Sequence, residues 1–192
     1  MWTLEEIDNY LKENLKENRY KHTLGVIETA KKLAIINNED EKKAEIAALI
    51  HDCAKNFTIE KSLQILKEEN IEVDEICKES PQLLHGIVGA IVGEKIFGIK
   101  DKGILNAVKY HTTGNINMTT LEKIIYIADY IEPSRDFEGI ERLRELTFSD
   151  LNKGVLKGLE NTIKFVIDCE QLIHPLTIEA RNYMLLQEKN NK

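Results

Sequence analysis

Apolar residues recur at helical spacing along almost all of this 192-residue chain, and the apolar faces are interrupted by histidine and aspartate. Long strand-like runs are absent, and only three prolines punctuate the sequence. Five stripes carry the pattern. Leu121, Ile124, Ile125 and Ala128 run into Asp129. Ile104, Ala107 and Val108 run into His111. His85 opens a third stripe with Val88, Gly89, Val92 and Ile96, and His22 opens a fourth with Val26, Ala30, Leu33 and Ala34. Ala44, Ala47 and Ala48 run into the adjacent pair His51 and Asp52. Such faces pack inward, so each polar residue on them is expected to point into the core.

Burying a carboxylate costs several kcal/mol unless something cationic meets it. Two accounts are open. Each residue can be satisfied by itself: a lone core histidine usually hydrogen-bonds to a backbone carbonyl, and a buried Asp caps a helix or pairs with Arg. Alternatively the residues share one cation, since helical bundles gather metal ligands from the inward faces of several helices. Imidazole together with carboxylate suits iron, manganese or zinc. Six such residues on converging stripes favour the shared site, but spacing alone leaves both accounts standing.

The spacing predicts an all-α helical bundle. A first helix runs from Leu4 to about Lys16, opened by the capping box Thr3-x-x-Glu6. Further helices run from about Tyr20 to Asn37 and from Asp40 to about Asp52, and another follows the cap Thr58. Ser80-Pro81 starts a helix that ends near Gly98, a C′ glycine. A short helix precedes His111, Thr119-x-x-Glu122 opens one that ends before Pro133, a long one spans Leu151 to Cys169, and the last starts near Thr177. The tail QEKNNK is expected to fray. The length suits one domain over residues 1–192. Three scattered cysteines without a CxxC pair fit reduced thiols and a cytoplasmic location. No apolar run approaches the ~18 residues a membrane helix needs. The opening MWTLEEIDNY reads as an acidic amphipathic segment and not as a signal peptide. A formal charge of −7 disfavours broad nucleic-acid binding, although cations focused in one cleft still suit a phosphorylated small molecule.

The order His22, His51-Asp52, His85, His111, Asp129 resembles the HD superfamily of metal-dependent phosphohydrolases. The resemblance narrows at His51-Asp52-Cys53-Ala54-Lys55, which is similar to the HDxAK segment of the YqeK family. It continues through His111-Thr112-Thr113-Gly114, through Ala128 to Pro133 with Arg135, and through Ile173-His174-Pro175. It covers nearly the whole chain and implies an HD-domain bundle. The metal-binding core would span about residues 18–135, and C-terminal helices over residues 140–187 would complete a nucleotide cleft. Members of that family are symmetrical bis(5′-nucleosyl)-tetraphosphatases, which use iron to cut diadenosine tetraphosphate into two ADP. The resemblance implies that His22, His51, Asp52 and Asp129 hold a first ion. His85 and His111, with Asp52 bridging, would hold a second ion or meet phosphate. Iron is the metal implied, with manganese or another divalent ion as the substitute. A metal-activated hydroxide would attack phosphorus, with Asp52, Lys55, His85 and His111 as the catalytic set.

Cations must accompany a polyphosphate. Lys55 lies one helical turn beyond His51, and Arg135 follows a proline-fixed turn after Asp129. Read by themselves, Lys55 is a solvated helix end and Arg135 a surface partner of Asp136 or Glu138. Arg19, just before His22, is a weaker candidate of the same kind. Thr112-Thr113-Gly114 offers hydroxyls and amides, or is an ordinary turn. The resemblance makes Leu172, Ile173, His174, Pro175, Leu176 and Thr177 a nucleotide wall, and it extends the substrate-contacting set to Arg19, His22, Asp52, Cys53, Ala54, Lys55, His85, His111, Asp129 and Arg135. The expected partner is a dinucleoside polyphosphate, with ADP as product, no nucleic acid and no membrane. A homodimer is the one protein partner left open. The rival readings are another HD phosphohydrolase acting on a nucleotide or cyclic dinucleotide, an HD diiron oxygenase, and a non-catalytic nucleotide sensor.

Overall fold

Helix caps set the frame of the computed structural model, which describes residues 1–190. Its helices are α1 (Leu4–Asn14), α2 (Glu17–Ile36), α3 (Glu41–Ile50), α4 (Ile59–Glu68), α5 (Glu75–Glu79), α6 (Leu84–Lys95), α7 (Lys102–Tyr110), α8 (Thr120–Ile131), α9 (Ile140–Ser149), α10 (Leu151–Asp168) and α11 (Pro175–Asn190). Among the described residues there is no strand, which bears out the all-α expectation. Thr3 with Glu6 and Thr119 with Glu122 form the two capping boxes read from the sequence. Asp40, Thr58, Asp74, Asp101 and Asp150 cap α3, α4, α5, α7 and α10 through their side chains. Each such cap contributes about 1 kcal/mol.

The stripes pack as their spacing requires. α2 lies against α3 and α8, α6 against α7, and α7 against α8. Val26, Ala30, Leu33, Ala44, Ala47, Ala107, Val108, Ile124 and Ile125 are fully buried between them. Glycine brings α6 and α7 together: a Cβ on Gly86 would lie 2.7 Å from the Lys109 carbonyl oxygen, and one on Gly89 3.3 Å from Val108. α10 joins α8 to the C-terminal pair, packing on α8, α9 and α11. No helix among the described residues is long and apolar enough to cross a membrane.

Several boundaries differ from expectation. Ser80-Pro81 does not start an α-helix directly: Pro81–Leu83 form a 3₁₀ turn that leads into α6. α6 ends at Lys95, so Ile96 is 44% exposed and leaves its stripe. Phe97 takes the core position, packed 5.2 Å from Trp2 and 5.3 Å from Tyr10 between ring centroids. Gly98, at φ 72°, makes the left-handed turn, but it lies two residues past the C-cap Ile96 and so one beyond the expected C′ position. α5 occupies a stretch where the periodicity predicts no helix. The last helix starts at Pro175 and not near Thr177, because Pro is well placed in a first turn and His174 caps it: His174 Nδ1 accepts from the Leu176 amide at 3.2 Å. α11 continues through Gln187 to Asn190, where fraying is expected, and residues 191–192 lie outside the described residues.

Candidate metal centre

His51 and His111 are the C-cap residues of α3 and α7, where helix carbonyls lack an intrahelical partner. Each ring turns back to donate its Nδ1–H to the carbonyl three residues earlier, Ala48 at 2.6 Å and Val108 at 2.7 Å. His85, in the first turn of α6, does the same to Gln82 at 2.6 Å. His22, on α2, donates its Nδ1–H to Glu132 Oε1 at 2.9 Å, across to the end of α8. These partners engage Nδ1 of all four rings and turn Nε2 inward, where it can serve a cation.

The inward nitrogens converge on two carboxylates. Asp52 turns one oxygen each way: Oδ1 lies 3.0 Å from His85 Nε2 and 3.7 Å from His111 Nε2, while Oδ2 lies 3.4 Å from His51 Nε2 and 3.9 Å from His22 Nε2. Asp129 Oδ1 is 2.9 Å from His22 Nε2. His85 and His111 bring their Nε2 atoms to 3.0 Å. The ligand atoms of His22, His51 and Asp129 all lie within 4.8 Å of one another, and so do those of His51, Asp52 and His111. Asp52 is 2% exposed, whereas Asp129 is 22% exposed and sits at the core's edge, not inside it as its stripe suggests.

This gathering fits a cation. His22 Nε2 and His51 Nε2 are buried and make no directed hydrogen bond among the described residues, although His22 Nε2 lies close to Asp129. Buried imidazole nitrogens that find no well-aligned hydrogen bond and crowd around carboxylates are placed as ligands of an ion would be. Burial disfavours the charged form of His85 and, with His111 and Lys55 nearby, lowers its pKa to about 4, so the ring is neutral as a ligand must be. Burial works against ionisation of Asp52, but His51 and the other imidazoles outweigh it and hold the carboxyl well below its ordinary range. Asp129 is held low in the same way, first through His22.

Residues 19–134, which contain all six ligand candidates, match the HD domain family. The chain belongs to that family. An HD domain implies a divalent cation, and the His/Asp cluster is where one fits. A protein from Halalkalibacterium halodurans named "Bis(5'-nucleosyl)-tetraphosphatase, symmetrical" is 42% identical over 93% of this chain and 95% of its own length. Proteins of the same name from Bacillus subtilis and Staphylococcus aureus are 41% identical (91% of this chain, 94% of theirs) and 38% identical (94% and 93%). The crystal structure of a "predicted HD superfamily hydrolase involved in NAD metabolism" from Clostridium acetobutylicum is similar at a TM-score of 0.95 and 51% identity, over 97% of this chain and 99% of that one. The likeness read from the HD motifs is thereby borne out.

Around the HD centre stand three cations. Arg19 Nη1 meets Asp52 Oδ2 at 2.9 Å, a direct contact that ranks it above the weak candidate its position suggests. Arg135 pairs with Asp129 at 2.7 Å and not with Asp136 or Glu138. Lys55 Nζ lies 3.3 Å from His85 Nε2, and burial lowers its pKa. Lys55 is therefore not the solvated helix end that its position alone suggests. Cys53 and Ala54 bury their side chains, and burial pushes the Cys53 thiol up. Thr113 is buried and donates its hydroxyl to the Gly114 carbonyl, so Thr112-Thr113-Gly114 is a turn held from within. In the stretch from Leu172 to Thr177, His174 is 3.4 Å from Asp74, Thr177 is buried and Leu172 is half exposed.

Two residues carry more of the centre than the motifs indicate. Glu132 is 1% exposed and orients His22, and it accepts in turn from the Ser134 amide at 2.7 Å and from the Ser134 hydroxyl. Its signal was Asp129-x-x-Glu132, two carboxylates one turn apart on one face. Room for it comes from Gly25, where a Cβ would lie 2.4 Å from Glu132 Oε2. Arg144, from α9, donates to the carbonyls of Ile131, Glu132 and Arg135 and so fixes the turn that carries Arg135. No local sequence signal marks Arg144.

Proposed function

We propose that the chain hydrolyses dinucleoside tetraphosphates, with diadenosine tetraphosphate as the substrate and two ADP as products. The observation that supports this most is the placement of Arg19, Lys55 and Arg135 around four inward imidazoles and two carboxylates. Anionic ligands and cationic rim together suit a highly charged phosphate chain, as the tetraphosphatase relatives require. His22, His51, Asp52 and Asp129 would hold a first ion, with iron the metal proposed. A second ion would be held by His85 and His111 together with Asp52, whose Oδ1 faces that pair while its Oδ2 faces His51 and His22. A divalent ion in this position supplies Lewis acidity toward a phosphoryl oxygen and makes water a better nucleophile near neutral pH.

The protein groups do the rest. Arg135 and Arg19 are pinned by Asp129 and Asp52, which aims two guanidinium groups at the mouth of the cluster for bidentate contact with phosphate. Lys55 is disfavoured as a buried cation and regains a partner when a phosphate oxygen arrives. The turn carrying Leu172 to Thr177 would form a wall for one nucleoside, with α9 to α11 completing the cleft. The three unpaired cysteines suit a reducing cytoplasmic setting. Incubation of iron-loaded protein with diadenosine tetraphosphate without oxygen tests the reading. ADP as sole product is expected. AMP with ATP would place the cut at an end phosphate and refute it, and absence of turnover would favour the oxygenase or sensor alternatives.

A further inference from the structure

Two cavities open on either side of Lys55, and they differ in kind. One, of about 570 Å³, is lined by Lys16, Arg19, Lys55 and Arg135 against Glu132 and Asp136, with Phe137 as its aromatic ring. It is a place for phosphate oxygens and sugar hydroxyls. The other, of about 330 Å³, is walled by Phe57, Ile59 and Pro81, with Lys55 its one cation and no carboxylate in its lining. Its polar groups are neutral hydrogen-bonding ones. Gln82, an exposed residue whose side-chain amide has no hydrogen-bond partner among the described residues, is in the lining, and the buried Ser62 lies at the wall. The cavity is joined rigidly to the metal centre: His85 lines it, and His85 Nδ1 is bonded to the Gln82 carbonyl at 2.6 Å. Phe57 is steadied by Lys61, whose Nζ stands 3.4 Å from the ring centroid.

The geometry points to this Phe57–Gln82 cavity as the subsite for one nucleobase of the dinucleotide, separate from the wall at Leu172 to Thr177. A flat aromatic ring, an apolar rim and one amide able to pair with a base edge are what a purine asks of a pocket. The cationic cavity has one aromatic ring, Phe137, but sets it among four cations and two carboxylates. Lys55 at the junction would hold the phosphate that leads into the base site. The inference rests on the dinucleotide reading above and deepens it: the enzyme would grip both nucleosides, which explains how a symmetrical substrate is told from a free polyphosphate.

The test compares diadenosine tetraphosphate with adenosine 5′-tetraphosphate, which has the same four phosphates and one nucleoside. A single nucleoside can settle at the remaining wall, so Phe57→Ala should lower kcat/KM on the dinucleotide about tenfold to a hundredfold more than on the mononucleotide, the range for losing one base stack. Phe57→Trp, which keeps an aromatic face, should retain most of the selectivity, and Gln82→Ala should shift the preference between adenine and guanine dinucleotides. Metal content and melting temperature, measured on the same samples, separate this from a folding defect. Equal losses on both substrates, or selectivity lost in Phe137→Ala and kept in Phe57→Ala, would overturn the assignment. A wild-type protein that releases no ADP from the dinucleotide would sink the function itself, a different result from one that releases ADP indifferently to Phe57.

Discussion

Between α2 and α8 the interior gathers His22, His51, Asp52, His85, His111 and Asp129 at one point, whereas α9, α10 and α11 meet on Leu143, Val155, Leu159, Ala180 and Met184, with Thr147 and Thr177 their buried polar side chains. The hydroxyl of Thr147 is spent on the Leu143 carbonyl. The C-terminal packing is thus mainly apolar, and its cost of burial is met by apolar contact at roughly 1.5–3 kcal/mol for each large side chain. The HD region buries imidazole nitrogens and carboxylate oxygens that face one another, an arrangement suited to a cation. Damage to the first region should appear as lost metal and lost rate, and damage to the second as lost stability.

Asp52→Ala should give the largest effect. It removes a proposed ligand and the group that faces all four imidazoles, so bound metal and activity should disappear together, by about a thousandfold or more in kcat/KM, beyond the loss of one electrostatic donor. Elemental analysis beside a product assay measures both. Stoichiometric metal in this variant would break the comparison at its root. His85→Ala and His111→Ala sharpen it, since they should cost activity while leaving the first ion largely bound.

Arg135→Ala comes next and separates ligands from phosphate contacts within the HD region. Metal content should stay intact while transition-state stabilisation falls by roughly 2–4 kcal/mol. Lysine at this position should restore part, because an ammonium cannot make the two-pronged contact. Loss of metal with Arg135→Ala would mean that its hold on Asp129 matters more than its charge at the cleft.

Gly154→Ala probes the other region. A Cβ there would lie 2.7 Å from the Cα of Thr147, backbone that cannot give way cheaply. Prying α9 from α10 should cost about 1–3 kcal/mol, as overpacking does. A thermal melt should show it, with the metal-to-protein ratio of the folded fraction unchanged. A drop in that ratio would show that α9, through Arg144, is part of the metal centre's support and not a separate packing unit.

How far each region could be read beforehand follows from the range of its forces. The inward histidines were legible because helical spacing put polar residues on apolar faces, and the two accounts of them are compatible: three of the rings bond a backbone carbonyl through Nδ1, and by doing so turn Nε2 toward the His/Asp cluster. Capping was legible because it spans three residues. Arg144 was not, since its carbonyl partners lie 9 to 13 residues away along the chain and are set by where α9 docks. The split of Asp52 between two histidine pairs was likewise invisible, because the resemblance implies a bridge but only packing decides which oxygen faces which ring.

The smallest expected effect lies where the two regions touch. Asp74 caps α5 by accepting from the Cys77 amide at 2.8 Å, and its other oxygen meets His174 Nε2 at 3.4 Å, while His174 Nδ1 caps α11. The imidazole therefore carries its proton on Nε2 in this clasp, and burial pushes the nearby Cys77 thiol up to about 12. Because Asp74 is 54% exposed, the pair should couple by less than about 1 kcal/mol in a double-mutant cycle of Asp74→Ala and His174→Ala. The cap itself is worth about as much again. Stability should thus change little, and metal content not at all. If the clasp also holds the Leu172 to Thr177 wall in place for a nucleoside, the single variants should raise KM for the dinucleotide while leaving kcat nearly as it was. An unchanged KM with the clasp broken would leave α11 as a purely structural neighbour of the HD core.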